Sequence, residues 1–370
     1  MKFTCYKNDL VEAMQILIRS VAVKPITPIL AGMYLNACDN YLEIQANNFT
    51  SAVSVKIPLN LESGGEVVLN GRQLYNFIRN MPEDTINFFG EEADTTFSLE
   101  SGGAKAEFMT MNVLDFPKVK VPETDKSFRI RAVALKSLIR KTAFAAAKDN
   151  DRPVFKSCYF NVTGEKVLVC ATNAHRIAID SDVVRDNYDD GELLIPADVL
   201  RGFMHYIDPN DVENYVEVKY SRRQVSFKFN NVYITVRQNE GEFPPYNQLI
   251  NKNFTTTVEV NKAEFRNAVE FVSLMAKDDN ENHMMLFNIS PDQIGILSNS
   301  TEYGNAQKAI EAQMDGDPLT IAFNVNYFLD ALRVMESQRL LLRFTSSSEP
   351  IYIKEADNEH FSYLVTPVRF

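Results

Sequence analysis

The chain repeats itself about every 126 residues, and this limits its fold more than any other feature. Asn47 closes Gln-Ala-Asn, Asn173 closes Ala-Thr-Asn and Asn299 closes Leu-Ser-Asn, at gaps of 126 and 126. Leu35-Asn36, Phe160-Asn161 and Phe287-Asn288 recur at gaps of 125 and 127. Asp115-Phe116-Pro117 is echoed 127 residues later by Glu242-Phe243-Pro244. Solenoid repeats are only ~20–50 residues long. A period this long is a whole domain, present three times in 370 residues.

Each copy reads in the same order: strand, helix, strand pair, second helix, further strands. Apolar residues at helical spacing predict first helices over 7–20 (Leu10, Met14, Leu17, Ile18), 135–148 (Leu135, Leu138, Ile139, Thr142) and 262–277 (Phe265, Val269, Val272). Asn8-Asp9 and Asn261 are the expected N-caps. Second helices are expected over 71–81, 196–206 and 325–336, with Pro196 in a first turn. Elsewhere the pattern has period two, as in 167–171 and 216–220. In 225–236 two such runs flank Asn230-Asn231, the signature of a tight hairpin. The class is α+β, three tandem copies of one domain in which two helices pack on a β-sheet layer. Linkers near 120–126 and 251–253 divide the chain into domains 1–121, 127–250 and 254–370.

Apolar content of 45% and charged content of 24% describe a globular protein. No apolar run approaches the ~18 residues of a membrane span. Met1-Lys2-Phe3-Thr4 leads directly into strand-like sequence, so no secretory signal is expected. Cys5, Cys38, Cys158 and Cys170 are scattered without a CxxC, which suits free thiols in the cytoplasm.

A net charge of -11 argues against a nucleic-acid partner, but its distribution reverses this. The six expected helices carry thirteen basic and seven acidic residues, a net of +6, which leaves -17 for the rest. Helices 71–81 and 135–148 contain no acidic residue. Solvated helix faces usually mix Glu with Lys and Arg, so a basic face suited to sequence-independent phosphate contact is expected. No helix-turn-helix, zinc-finger or RNA-recognition pattern occurs.

Motifs for catalysis are missing. The four histidines, His175, His205, His283 and His360, form no HExxH, and no phosphate-binding loop, GxGxxG or GxSxG is present. Asp189-Asp190 and Asp278-Asp279 sit in turn-like settings. His175 has a distinctive context, but a catalytic base needs a nucleophile and an orienting partner, and neither is identifiable. The chain is expected to be no enzyme and to need no metal or cofactor.

At several collinear stretches the chain resembles the bacterial sliding clamp family, the β subunit of DNA polymerase III. These are Met1-Lys2-Phe3, Lys24-Pro25-Ile26-Thr27-Pro28-Ile29-Leu30, Ala171-Thr172-Asn173-Ala174-His175-Arg176-Ile177-Ala178, Gly241-Glu242-Phe243-Pro244-Pro245-Tyr246, Phe323-Asn324-Val325-Asn326-Tyr327, and Tyr363-Leu364-Val365-Thr366-Pro367-Val368-Arg369-Phe370. The resemblance implies a head-to-tail homodimer: six domains in a ring, helices lining the hole, encircling and sliding on double-stranded DNA. It implies a processivity factor that tethers polymerases, clamp loader and repair proteins through short linear motifs.

The implied peptide pocket lies between the second and third domains. It comprises Phe155, Thr172, Ala174, His175, Arg176, Ile177, Pro244, Leu249, Ser348, Pro350, Leu364, Val365, Thr366, Pro367, Val368 and Arg369, with Arg176 and Arg369 orienting an acidic or carbonyl group. Ala174 stands where the family often has Gly, Gln248 where some members carry Arg, and Thr366 and Val368 flank Pro367 where some have Met. That suggests a narrower, less pliable pocket. Positions matching the family's DNA contacts are Lys24, Arg72, Lys148, Asn150 and Arg152. The helix count adds Arg79, Lys136, Arg140, Arg201, Lys262, Arg266 and Arg333. Phe108 and Phe271 are expected at the dimer interface. Two rival readings are a monomeric three-domain scaffold and a hydrolase using His175.

Overall fold

The computed structural model describes residues 1–91, 95–124, 126–149, 151–187, 189–208, 212–248, 253–276, 283–300 and 304–369. Leu249, Asn150 and Asp278-Asp279 lie outside the described residues.

The first repeat runs β1 (Lys2–Tyr6), α1 (Lys7–Leu17), β2 (Gly32–Cys38), β3 (Tyr41–Asn47), β4 (Ser51–Pro58), β5 (Asn60–Ser63), β6 (Gly65–Asn70), α2 (Gly71–Asn80), β7 (Thr85–Phe89), β8 (Thr96–Ser101) and β9 (Ala104–Met109). The second runs β10 (Ser127–Arg131), α3 (Ala132–Thr142), β11 (Ser157–Thr163), β12 (Lys166–Thr172), β13 (Arg176–Val183), β14 (Gly191–Pro196), α4 (Ala197–Phe203), β15 (Tyr215–Tyr220), β16 (Gln224–Phe229) and β17 (Val232–Arg237). The third runs β18 (Thr256–Asn261), α5 (Lys262–Ser273), β19 (Met284–Ser290), β20 (Gln293–Ser300), β21 (Gly304–Glu311), β22 (Gln313–Gly316), β23 (Leu319–Asn324), α6 (Val325–Val334), β24 (Arg339–Phe344), β25 (Ile351–Glu355) and β26 (Asn358–Val365). Four or five strands separate the two helices of a repeat, where the sequence pattern suggested a pair. Short polar-tipped strands are hard to count from alternation alone.

The helices are also shorter than expected. α1 ends at Leu17 and tightens into a 3₁₀ turn over Ile18–Ser20, and α3 does the same over Ala143–Ala145. Their apolar faces are as read: Leu10, Met14 and Leu17 are buried, as are Leu135, Leu138, Ile139, Phe265, Val269 and Val272. Asn261 caps α5, accepting from the Ala263 and Glu264 amides, and Asn70 and Asn324 cap α2 and α6. Asn8 and Asp9 lie inside α1, whose N-cap is Tyr6 without a side-chain bond. Lys7 Nζ donates to Met81 O at 2.6 Å, and Lys262 Nζ likewise bonds Met335 O. In each case the start of the first helix is tied to the residue just beyond the second.

Two compact units form. One comprises Met1–Ala132, Arg185–Asp189 and His205–Gln238, the other Val133–Val184, Asp190–Met204 and Asn239–Phe370. The middle repeat is thus shared out, and strand pairing explains why. The first unit holds sheets β5-β1-β7-β8-β9 and β10-β15-β16-β17-β4-β3-β2-β6. The second holds β14-β11-β12-β13-β26-β25-β24-β18-β22 and β21-β20-β19-β23. β17 pairs antiparallel with β4 (Ile234↔Val53) and β26 with β13 (Tyr363↔Ala178), so neighbouring repeats join edge to edge inside each unit. The Phe229↔Val232 pair closes the Asn230-Asn231 hairpin as expected.

Pairing also fixes how the repeats superimpose. Leu35↔Ile44 and Ile44↔Val55 match Phe160↔Val169 and Val169↔Asp180, a shift of 125. Asn48, not Asn47, is therefore the counterpart of Asn173. Asn48 Oδ1 accepts from the Thr50 and Ser51 amides, and Asn173 Oδ1 from those of His175 and Arg176. Asn47 corresponds to Thr172, each accepting from the amide two residues on.

Asp180, on β13, is 5% exposed, and burial raises its carboxyl to about 6 against the pull of Lys141 and His360, with Asp182 adding to the rise. A raised acid holds its proton more tightly when folded, so stability falls as pH climbs from about 4 to about 6 and stays lower above that. We expect Asp180→Asn to stabilise the chain by about 1–3 kcal/mol at pH 7 and to make no difference below about pH 4, read from urea midpoints at both pH values.

Candidate functional site

The β12–β13 turn is built by side chains. Thr172 Oγ1 donates to Arg176 O at 2.7 Å and accepts from the Ala174 amide at 3.1 Å, while Asn173 holds the next two amides. These bonds hold Ala174 at φ 77, a left-handed conformation that glycine adopts more readily. They also lift His175 into solvent. Thr366 docks on this turn, its amide and Oγ1 donating to His175 O at 2.9 and 3.1 Å. Arg176↔Val365 and Ile177↔Leu364 are cross-strand neighbours. Val368 continues the tether through its amide to Ala322 O.

Next to the turn lies a largely buried apolar cluster. Ile177 packs with Tyr159, Cys170, Ile179 and Tyr246, and Phe243, Leu168 and Leu194 are half-buried against them. Tyr159 and Phe243 stack with centroids 4.8 Å apart. Phe155 is buried in the Pro153–Lys156 turn, where Val154 lies against Gly241 at the start of the Phe243-Pro244 segment. The motif reading included Pro244 but missed Phe243, Tyr246 and Tyr159, which lie outside the quoted pocket positions. Ser348 and Pro350 belong to the loop between β24 and β25, where the Ser348 amide bonds Ser346 Oγ.

Arg176 differs from its expected role. It is 7% exposed, and its guanidinium donates to Asp330 Oδ2 and to Phe144 O, both at 2.7 Å. Tyr327 and Phe144 flank it at 4.8 and 5.4 Å from their ring centres. Its fork is spent on the interior, because a buried charge must be paired. Val365 is likewise fully buried, while Arg369 remains exposed. Arg176→Ala would leave the Phe144 carbonyl without its donor and Asp330 with only the longer Arg333 contact. We expect a loss of about 2–3 kcal/mol in a urea titration, with Arg176→Lys recovering only part, since an ammonium cannot reproduce the planar fork.

The shorter helices carry ten basic and six acidic residues, a net of +4 rather than +6. α2 and α3 hold five of the ten and no acid. Several expected phosphate contacts have protein partners: Arg140 bonds Glu336, Arg266 Nε lies 2.7 Å from Glu270, and Arg333 lies 3.5 Å from Asp330. Arg201 donates to Ala143 O at 2.8 Å, and Lys262 is the α5 strut. Arg72 makes a long 3.4 Å bond to Val21 O, and Arg79 lies over the Tyr75 ring. Lys136 sits on α3, and Arg152 immediately precedes the Pro153–Lys156 turn. Lys24 and Lys148 are exposed, in non-helical segments. Phe108 is buried edge-on against Phe77, and Phe271 is exposed on α5.

Among the described residues no cluster of three or more His, Cys, Asp or Glu is placed to hold a metal, and no helix is long and apolar enough to cross a membrane. Three tandem α+β repeats joined strand to strand define a clamp-type protein. The family models for the N-terminal, central and C-terminal domains of the DNA polymerase III beta subunit match residues 1–120, 129–245 and 247–369. The chain belongs to that family, the bacterial beta sliding clamps. It is 29% identical to the beta sliding clamp of Bacillus subtilis (strain 168), covering 100% of both chains, and 27% identical to that of Streptococcus pneumoniae (strain R6), covering 99% of each. The crystal structure of the Bacillus subtilis sliding clamp superimposes with a TM-score of 0.95 at 28% identity, covering 100% of this chain and 99% of that one. A Pseudomonas aeruginosa clamp bound to griselimycin shares the fold, with a TM-score of 0.94 at 21% identity and 100% of both chains covered.

Proposed function

We propose that the chain is a DNA polymerase processivity factor that works as a ring-shaped homodimer around double-stranded DNA. Its domains on this reading are 1–121, 127–250 and 254–370. One observation carries the ring: two sheets are incomplete in complementary ways. The nine-stranded sheet consists of a four-strand half, β14-β11-β12-β13, and a five-strand half, β26-β25-β24-β18-β22. The same halves recur apart, as β23-β19-β20-β21 and β9-β8-β7-β1-β5, ending on β21 and β9. Edge strands of this kind invite pairing. Within one chain the two halves come from the first and third repeats, so pairing between two copies, head to tail, closes the circle.

The register follows from the two existing junctions. Superposition places Ala106 where Ile234 and Tyr363 stand, and Ala306 where Val53 and Ala178 stand. Ala106 should therefore face Ala306 of a second copy, in a non-hydrogen-bonded pair with Cα atoms about 4.5 Å apart. That spacing suits a disulfide. A chain carrying Ala106→Cys and Ala306→Cys should give, on mild oxidation, a covalent dimer of twice the 42.0 kDa chain mass on non-reducing gels. Cysteines moved one residue along one strand should not. Monomer alone from the in-register pair would sink the head-to-tail ring and leave the monomeric scaffold. In this register Phe108 lies beside the junction, while the exposed Phe271 is a second candidate contact on α5.

DNA would be held by mobile phosphate contacts rather than base readout. The exposed Lys24 and Lys148, with Arg72, Arg79, Lys136 and Arg152, are favoured as phosphate contacts over Arg140, Arg266 and Arg333, which face carboxylates, and over Arg201 and Lys262, which are held closely by backbone carbonyls. Partner proteins (polymerases, clamp loader, repair enzymes) would dock linear motifs on the Ile177–Tyr246–Phe243 surface, below His175 and Thr366. The chain performs no catalysis on this reading, and it works in the cytoplasm. Removing residues 366–370 takes away the strap over the turn. Peptide affinity measured by fluorescence anisotropy should drop more than tenfold while the dimer persists. Unchanged affinity would reject this pocket. A hydrolase reading would instead require turnover that His175→Ala abolishes.

A further inference from the structure

The junction between the first and second repeats contains the same backbone frame as the peptide-docking turn, with opposite chemistry. The β3–β4 turn is held by Asn47 and Asn48 as the β12–β13 turn is held by Thr172 and Asn173. Phe49, at φ 69, occupies the crest that Ala174 occupies at φ 77, and its ring is 62% exposed. The Arg237 amide donates to Thr50 O at 2.9 Å, bringing the end of β17 onto this turn. The hairpin between β15 and β16 closes the third side, fixed by Ser221 N to Gln224 O and Gln238 N to Arg223 O, each 2.8 Å. Together these segments line a cleft of about 1000 Å³. Arg222, Arg223 and Arg237 line it and are exposed, and none has a side-chain hydrogen bond or ion pair among the described residues. In the third repeat the matching hairpin reads Ser346-Ser347-Ser348-Glu349, without a cation.

We propose that this cleft is a second docking site, for an acidic linear peptide carrying one aromatic side chain. Three unpaired guanidinium groups on a chain of net charge -11 are a local reversal of sign, and their forks match carboxylates. The rigid turn presents Phe49 to an incoming ring, and aromatic pairs add about 0.5–1.5 kcal/mol beyond area burial. The frame is preorganised by backbone bonds, so binding orders little of the protein. Nucleic acid also offers anions and rings. The backbone equivalence with the peptide-docking turn favours a peptide, and only that comparison rests on the pocket reading above. The cleft and its charge do not.

The test uses a fluorescein-labelled peptide, Glu-Asp-Phe-Asp-Glu, titrated with the full chain in fluorescence anisotropy at 50 mM salt. Its amide analogue (Gln-Asn-Phe-Asn-Gln) and a 12-nucleotide oligothymidine serve as comparison probes. The acidic peptide should bind with at least tenfold higher affinity than its amide analogue. The double variant Arg223→Ala/Arg237→Ala should weaken it at least tenfold, and Phe49→Ala several-fold, with thermal midpoints unchanged because all three side chains are exposed. Deleting residues 366–370 should leave this binding intact, so a failure of the other pocket is distinguishable. The proposal is overturned if the acidic peptide does not bind at millimolar concentration, if the arginine variant binds it as well as the parent chain, if the deletion abolishes binding, or if oligothymidine alone binds through these arginines.

Discussion

Antiparallel pairing of strand edges at the repeat junctions is the interaction on which the rest of this structure depends. A strand with an unpaired edge exposes a row of amides and carbonyls that seeks a partner. Here β4 and β13 each receive the last strand of the following repeat. Each junction gives several cross-strand pairs and a continuous sheet, so the chain packs by junction rather than by repeat. That is why the middle repeat is divided between two compact units although its sequence is a single domain. The same logic leaves β9 and β21 as the two ends of an open series.

The helices show how little a count of charges says about where charge is free. Thirteen basic residues were assigned to helices from sequence, and ten lie on them. Of those, Arg140, Arg266 and Arg333 face carboxylates, and Lys262 holds a helix start to a carbonyl. Surface pairs of this kind contribute little stability, but they lower the field available to a distant phosphate. Acidic residues are absent from α2 and α3, yet Arg140 and Lys141 of α3 both pair with Glu336, while Lys24 and Lys148 stand exposed in non-helical segments.

Much of this was legible in the sequence. The sequence pattern placed the six helices, the buried face of the first helix in each repeat, the Asn230-Asn231 turn, and the α+β class. Collinear motifs led to the family. Helix lengths were overestimated because 3₁₀ turns continue the apolar spacing of an α-helix for one more turn. The pairing of Asn47 with Asn173 was one residue off. Identical side chains at nearly equal spacing suggested equivalence, but hydrogen-bond roles assign Asn48 to Asn173 and Asn47 to Thr172. Burial was the other gap. Arg176 reads as a polar hand in a binding motif, yet two aromatic rings and Asp330 enclose it, and no one-dimensional pattern reports that enclosure.

The two turns at the two junctions separate what the fold fixes from what the site chooses. Both use an i to i+2 bond followed by an asparagine that gathers two amides, and both hold a non-glycine residue at positive φ. Such strain persists only where surrounding bonds enforce it. The frame therefore survives a change from Ala174 to Phe49 at its crest, and from a serine-rich to an arginine-rich hairpin beside it. Asn and Thr side chains that gather backbone amides set the geometry at both places, so evolution is free to vary the other side chains that project from it. A repeat protein can in this way carry one turn geometry more than once and give each copy its own chemistry.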